Sequence, residues 1–323
     1  MQKKNEKILF YGLLMYAVII FLKDYYVNRF YLMISGFDHK NSDSFGLILQ
    51  PAVLVVGALL FAWFIKRKRS KTGEKQEITD ILGIGPVGTM NIFKSIGIGT
   101  VCFFAFNMLK NAIFVVLAAN GKPVSISYIE TPIDIGYFLF LLVMLGIWMP
   151  IGEELVYRGM LFHIPSKTGN VVLLTLLNLL IFAGAHQSGE QVIQAIVLGL
   201  ILCLFARKTG NISMGIIIHI TFNLIGLVIT YYFPLTLLTA FGIREDSTKN
   251  AMLLGACEMM FVVIVLLMLL VVLIHGIKIP EKTAAKASKE FRNLKQQLPA
   301  ISMAAVGVVY SVWKIGRAFQ MVW

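Results

Sequence analysis

Charge is scarce in this sequence, and the scarcity decides the class of protein. Charged residues fill 14 % of the 323 positions, against about 25 % in a soluble globular domain. Apolar residues reach 58 % and the mean hydropathy is +0.78. A soluble domain of this length needs far more polar surface, so that class is excluded. Cysteine is also scarce. Cys102, Cys203 and Cys257 all lie in apolar segments, without zinc-site spacing or any pairing logic. No disulfide framework is expected, and the three thiols read as buried small hydrophobes. Nucleotide-binding signatures are missing too. The glycine-rich stretch ILGIGPVG (81–88) has neither GxxxxGK[ST] nor a βαβ context, so it reads as a loop or short interfacial segment. There is no HExxH, no zinc-finger pattern, no sequence repeat, and no serine or cysteine with a matching base at a useful spacing.

What is present is a series of apolar runs. They fall at 8–22, 45–65, 95–119, 133–151, 171–187, 191–206, 212–233, 251–275 and 299–315. At about 20 residues per membrane-spanning helix, the chain holds seven to nine spans, with eight or nine favoured. The fold class is therefore all-α, a polytopic transmembrane helical bundle. The start, MQKKNEKILFYGLLMYAVIIFL, lacks a small-x-small cleavage site after its apolar run and is expected to be a retained span.

The net charge of +12 would suggest nucleic acid in a soluble protein. Here the basic residues cluster between apolar runs, which makes them topology signals beside anionic lipid and leaves no nucleic-acid role. Lys3, Lys4 and Lys7 place the N-terminus inside. The next inside loop, 66–94, carries Lys66, Arg67, Lys68, Arg69, Lys71, Lys75 and Lys94 against Glu74, Glu77 and Asp80. Lys167, then Arg207 and Lys208, then the basic stretch 277–298 mark the later inside loops. The loops near 23–44, 120–132, 188–190 and 234–250 are weakly or evenly charged. The alternation gives a multi-pass cell-membrane protein with a cytoplasmic N-terminus and, with nine spans, an external C-terminus. It also suggests three regions: 1–94 with N-terminal spans and a basic loop, 95–233 as a core, and 234–323 with C-terminal spans and a second basic loop. The stretch 277–298 reads as a positive-inside anchor, with a surface amphipathic helix as the other possibility.

Polar residues inside apolar runs are costly and mark function or partners. Asn107, Lys110 and Asn111 interrupt 95–119 and are expected to face protein, a cavity or an interface. Three further sets stand out. In Gly152-Glu153-Glu154-Leu155-Val156-Tyr157-Arg158-Gly159, Glu154 and Arg158 are four apart and face each other on a helix, while Glu153 points elsewhere. In Phe182-Ala183-Gly184-Ala185-His186, small residues allow close helix approach and a histidine closes the run. Asn178 lies eight residues before it. In His219-Ile220-Thr221-Phe222-Asn223, an imidazole and an amide share one face. Taken singly, these could be helix-end carboxylates, a structural histidine and an interhelical hydrogen bond. Together they supply what water-activated amide hydrolysis needs: a carboxylate base, an imidazole, and hydrogen-bond donors for an oxyanion. Glutamate and histidine are also zinc ligands, so Glu153, His186 and His219 are candidate metal ligands, and the sequence leaves zinc or no metal open. Glu258 and His275 join no motif; helix packing and a helix-end interface are their expected roles.

The three sets resemble the CAAX-protease and bacteriocin-processing (CPBP, or Abi) family of intramembrane proteases. That family is marked in this order by Glu-Glu-x-x-x-Arg, Phe-x-x-x-His and His-x-x-x-Asn/Asp, which fall here on Glu153, Glu154 and Arg158, on Phe182 and His186, and on His219 and Asn223. The resemblance covers about 133–230. It implies a helical core in which Glu153 activates water with help from His186. It further implies that His219 and Asn223 form the oxyanion site, with Glu154 and Arg158 shaping it. Members include CAAX-type prenyl endopeptidases, and many bacterial members are tied to bacteriocin immunity or peptide maturation. Both metallo- and metal-free glutamate-dependent mechanisms are argued for the family. The implied activity is an endopeptidase acting on a peptide or membrane-protein substrate. A transporter or channel built on the same polar residues, or a non-proteolytic scaffold of the same fold, are the competing readings. The run limits raise one difficulty: they put Glu153 near the inner face and His186 roughly 24 Å away at the far end of its helix. Either the helix bearing Glu153 extends past 160 and tilts, or the 171–187 segment enters the bilayer incompletely; the first is favoured, because YRGMLFHI remains helical in character as far as Pro165.

Overall fold

In the computed structural model the described residues are 2–22, 39–71, 73, 76–122, 134–166, 171–186, 189–233, 240–243, 247–275 and 277. The principal helices are α1 (Gln2–Phe21), α2 (His39–Ser70), α3 (Ile78–Leu82), α4 (Thr89–Ala119), α5 (Ile135–His163), α6 (Val171–Gly184), α7 (Gly189–Thr209), α8 (Ser213–Tyr232) and α9 (Lys249–His275). Six segments are long and apolar enough to cross a membrane: Gly46–Ser70, Thr89–Ala119, Ile135–His163, Gln191–Thr209, Ser213–Tyr232 and Lys249–Ile274. The protein is thus an all-α, multi-pass membrane bundle. The expected count of eight or nine is corrected to six among the described residues. The runs 8–22 and 171–187 form the shorter apolar helices Phe10–Phe21 and Val172–Gly184. The run 299–315 and the basic stretch after 277 lie outside the described residues.

The helices sort into two compact units. Unit 1 comprises Met1–Gly88, Trp148–Ile216 and Lys278–Trp323; unit 2 comprises Thr89–Ile147 and Ile217–Ile277. Two of the boundaries fall within helices, one in α5 and one in α8.

In unit 1, the second half of α5 is enclosed by α1, α2, α3, α6 and α7. Val156, Tyr157 and Met160 pack with Phe61 of α2 and Phe182 of α6 in one apolar core. Arg67, Lys68 and Arg69 close α2, where cations favour the negative end of the helix dipole. Lys68 lies over the Tyr11 ring of α1 at 4.7 Å, its stem covering apolar surface while its charge reaches outward. The glycine-rich stretch 81–88 begins at the end of a single helical turn, α3, and continues as a loop. Gly83 ends α3 at φ 76° with its back against the His163 ring, where a Cβ would come within 2.7 Å of Nδ1. The loop then meets the start of α8: Ile212 N–H donates to the Gly83 carbonyl at 2.7 Å, and Gly85 N–H lies 3.2 Å from both Asn211 Oδ1 and Ser213 Oγ.

In unit 2, α4 and α9 form an antiparallel pair. Gly97 faces Leu273 near one end, and Lys249 Nζ donates to Asn120 Oδ1 at 3.1 Å near the other. Met108, Ala112 and Val115 pack on Ala256, Met259 and Val263 between them. The outer face of α9 leaves Phe261, Met268 and Val272 about two-thirds exposed (67, 64 and 66 %), which suits contact with lipid. Asn107, Lys110 and Asn111 are half-buried, and Asn107 Nδ2 donates back to the Phe103 carbonyl at 3.1 Å. Two expectations fail on α9. Cys257 is exposed rather than buried, and Glu258 is exposed rather than packed between helices. An apolar run does not reveal which of its faces is covered.

Candidate active site

The helix that carries the first motif is not uniformly α-helical. Asp134 caps its start, accepting from Tyr137 N–H at 3.0 Å. Met144–Trp148 and Leu155–His163 are wide, π-helical stretches, and Met149–Glu154 between them is α-helical. Widened turns are frequent at functional sites. Pro150 helps to explain the first. In an i→i+5 register the donor for the Leu145 carbonyl is the N–H of residue 150, and proline has none. The second is longer, and all nine of its residues are buried.

The helix does extend past 160, as expected, to His163 and on through Ile164–Ser166. Glu153 and Glu154 fall at the end of the α-helical stretch. Glu154 and Arg158 have fully buried side chains, and Arg158 Nη1 donates to Glu154 Oε1 at 2.9 Å. Arg158 Nε and Nη2 are buried without a hydrogen-bond partner. The guanidinium instead lies over the Phe182 ring, with Cζ 4.2 Å from its centroid, a cation–π contact that matters more once water is removed. Glu153, one residue before Glu154, is half-buried.

Phe182 brings the second motif to the first. Its ring meets Tyr157 edge-on at 4.9 Å between centroids and His186 at 5.0 Å. His186 sits just beyond the end of α6, half-buried, with Nδ1 2.8 Å from the Phe182 carbonyl oxygen. A carbonyl only accepts, so Nδ1 is the donor. In the neutral ring Nε2 then keeps the lone pair, which suits a base or a ligand. The structure therefore packs Glu154, Arg158, Phe182 and His186 together inside unit 1, with Glu153 on the same turn of α5 as the ion pair.

The third motif lies in unit 2. His219 is buried at 3 % exposure and Asn223 is half-buried, one turn apart on α8. Asn223 Nδ2 donates to the Leu145 carbonyl at 3.0 Å, supplying the hydrogen bond that Pro150 cannot. A primary amide has two N–H bonds, so this contact orients Asn223 and leaves its second N–H for another acceptor. Gly99 of α4 lets its helix approach here: a Cβ would lie 2.6 Å from the Ile218 carbonyl oxygen.

Sequence reasoning noted Asn178 but gave it no role. It is buried at 2 %, donates through Nδ2 to the Tyr157 carbonyl at 2.6 Å, and accepts at Oδ1 from Cys203 Sγ at 3.3 Å. The signal available was a polar residue on the same run as Phe182 and His186.

A polytopic helical membrane protein with a buried carboxylate–guanidinium pair and a tautomer-fixed histidine packed around one phenylalanine defines the class: an integral membrane protein with a polar core inside its apolar bundle. Residues 135–225 match the family described as type II CAAX prenyl endopeptidase Rce1-like, and the matched segment contains all seven motif residues. Comparison with curated proteins and with solved structures gave no match.

Among the described residues, no group of three or more histidine, cysteine, aspartate or glutamate side chains is gathered closely enough to hold a metal ion. His186 Nε2 suits a ligand as well as a base.

Proposed function

We propose that this protein is an intramembrane endopeptidase that hydrolyses a peptide bond in a peptide or membrane-protein substrate. The observation that carries the reading is the packing of Arg158, Tyr157 and His186 around Phe182, within the segment that matches the family. In the reaction, the Glu153 carboxylate takes a proton from water while His186 Nε2 accepts a hydrogen bond from the same water and aims its oxygen at the scissile carbonyl. The C–O bond forms and the carbonyl π electrons move to oxygen. His219 and the second Asn223 N–H donate to that oxyanion. The tetrahedral species collapses with cleavage of the C–N bond, and Glu153 returns its proton to the leaving amine. Glu154 and Arg158 neutralise each other and support the turn that bears Glu153. Residues 95–233 form the catalytic core, and the basic segments at 1–7 and 66–71 keep the N-terminus cytoplasmic.

The test is cleavage of a peptide library by the full chain in liposomes. Glu153→Ala and His219→Ala should each reduce cleavage by at least about 100-fold, the usual range for loss of a general base or an oxyanion donor. Wild-type rates in both variants would refute the chemistry. Absence of cleavage by the wild type, with peptide bound, would favour the scaffold reading instead.

A further inference from the structure

We infer that Asn178 is a positioning residue for the site, pinning the wide second half of α5 so that Glu153 and His186 keep their relation; this rests on the proteolytic reading above. The α-helical turn bearing Glu153 and Glu154 is flanked by two π-helical stretches, and in each a carbonyl is taken by an asparagine from another helix. Leu145 O accepts from Asn223 at 3.0 Å, and Tyr157 O from Asn178 at 2.6 Å. A widened turn changes which N–H meets each carbonyl, so a side-chain donor that takes one of those carbonyls helps select the π register over an α-helical one.

Asn178 is held in turn. Its Oδ1 accepts from the Cys203 thiol at 3.3 Å, so one amide joins α5, α6 and α7. Tyr157, whose carbonyl is pinned, places its ring against Phe182, and Phe182 carries both the Arg158 contact and His186. Asn178 also stands one turn before Phe182 on α6. It therefore acts on both sides of the site without touching the reacting atoms: through Tyr157 toward Glu153 on α5, and through α6 toward His186. Loss of the pin lets the stretch 155–163 change register, which rotates Tyr157 and Arg158 relative to Phe182.

The test compares Asn178→Ala, Asn178→Asp and the control Asn107→Ala in the full chain. Asn107 is another asparagine within a candidate span, but its amide serves its own helix. Asn178→Asp keeps the volume and the acceptor for Cys203, so it reads the lost donor if the alanine variant folds poorly. Both Asn178 variants should lower kcat by about 10- to 100-fold, the scale of an angstrom-level misplacement, with KM within about threefold. Amide hydrogen exchange over 155–163 should quicken by about tenfold or more in the same variants, as expected for loss of a local restraint. Asn107→Ala should change neither. Faster exchange with unchanged kcat would overturn the positioning role, as would a kcat loss without faster exchange or an equal loss in Asn107→Ala. If the wild type cleaves nothing, the proteolytic reading fails, and with it the positioning role; the exchange result then decides separately whether the pin exists.

Discussion

Removing one partner of the Glu154–Arg158 pair should destabilise the protein more than removing both. Each side chain is fully buried, and the pair meets at 2.9 Å. Arg158→Met removes the cation that meets Glu154 at 2.9 Å, and Glu154→Gln leaves a guanidinium whose Nε and Nη2 already have no hydrogen-bond partner. Breaking a buried pair from one side costs about 3–5 kcal/mol, whereas replacing both members with apolar residues of similar volume is often neutral or stabilising by about 1–4 kcal/mol. The orphaned guanidinium nitrogens push the comparison further in the same direction, because the double variant Glu154→Leu/Arg158→Met removes them together with both charges. Each single variant should thus lose about 3–5 kcal/mol, and the double variant should sit within about 1 kcal/mol of wild type or above it. The measurement is reversible unfolding in mixed micelles, with steady-state abundance in the membrane as a second readout. Additive single losses below about 1 kcal/mol, the behaviour of an exposed pair, would refute the claim that burial governs this interaction. The double variant should still lose cleavage, since nothing then supports the turn bearing Glu153; full activity there would remove the pair from the site.

Three further outcomes are expected. Gly99→Ala should cost about 1–3 kcal/mol through overpacking and reduce kcat, because the new Cβ meets the Ile218 backbone carbonyl beside His219; wild-type kinetics would show that α4 yields freely there. Lys66→Ala should change stability by less than about 1 kcal/mol, since the 2.7 Å Lys66–Glu77 pair is 38 % and 72 % exposed; a larger loss in the same unfolding assay would mean that this pair anchors α3. Cleavage should survive exhaustive chelation, because each step is assigned to a side chain or water. A loss restored by added zinc would replace that scheme with a metal-dependent one.

The membrane class was readable from charge scarcity alone, and the run limits located every long span among the described residues to within a few residues, except on α5. That helix runs on from the limit of its apolar run at 151 to His163, because Glu153, Glu154 and Arg158 interrupt the hydropathy while Glu154 and Arg158 are buried by protein. Hydropathy treats every polar residue as if it faced lipid or water, so a span lined by its own bundle looks shorter than it is. The pairing of Glu154 with Arg158 followed directly from their spacing. The π-helical stretches did not, because a change from i→i+4 to i→i+5 leaves no compositional trace beyond Pro150. Asn178 was missed as a partner for the same reason: its acceptor is a backbone carbonyl, and backbone acceptors are invisible to a search for side-chain motifs. The exposure of Cys257 and Glu258 depends on which face of the 27-residue helix α9 meets α4, which an apolar run cannot specify.

The fully buried stretch of α5 also constrains how the chain is assembled. A ribosome delivers α5 to the membrane before α6 and α7 exist, so the helices that cover Arg158 on that side arrive after it. A lone guanidinium in hydrocarbon would be held back at considerable cost. Glu154 stands one turn earlier on the same helix, so its carboxylate enters with Arg158 and the two charges can neutralise each other with no help from a neighbour. The four-residue spacing that supports the finished site thus also serves as a travelling counter-ion. The order of synthesis makes α6, with Phe182 and Asn178, the first later element able to close over the pair.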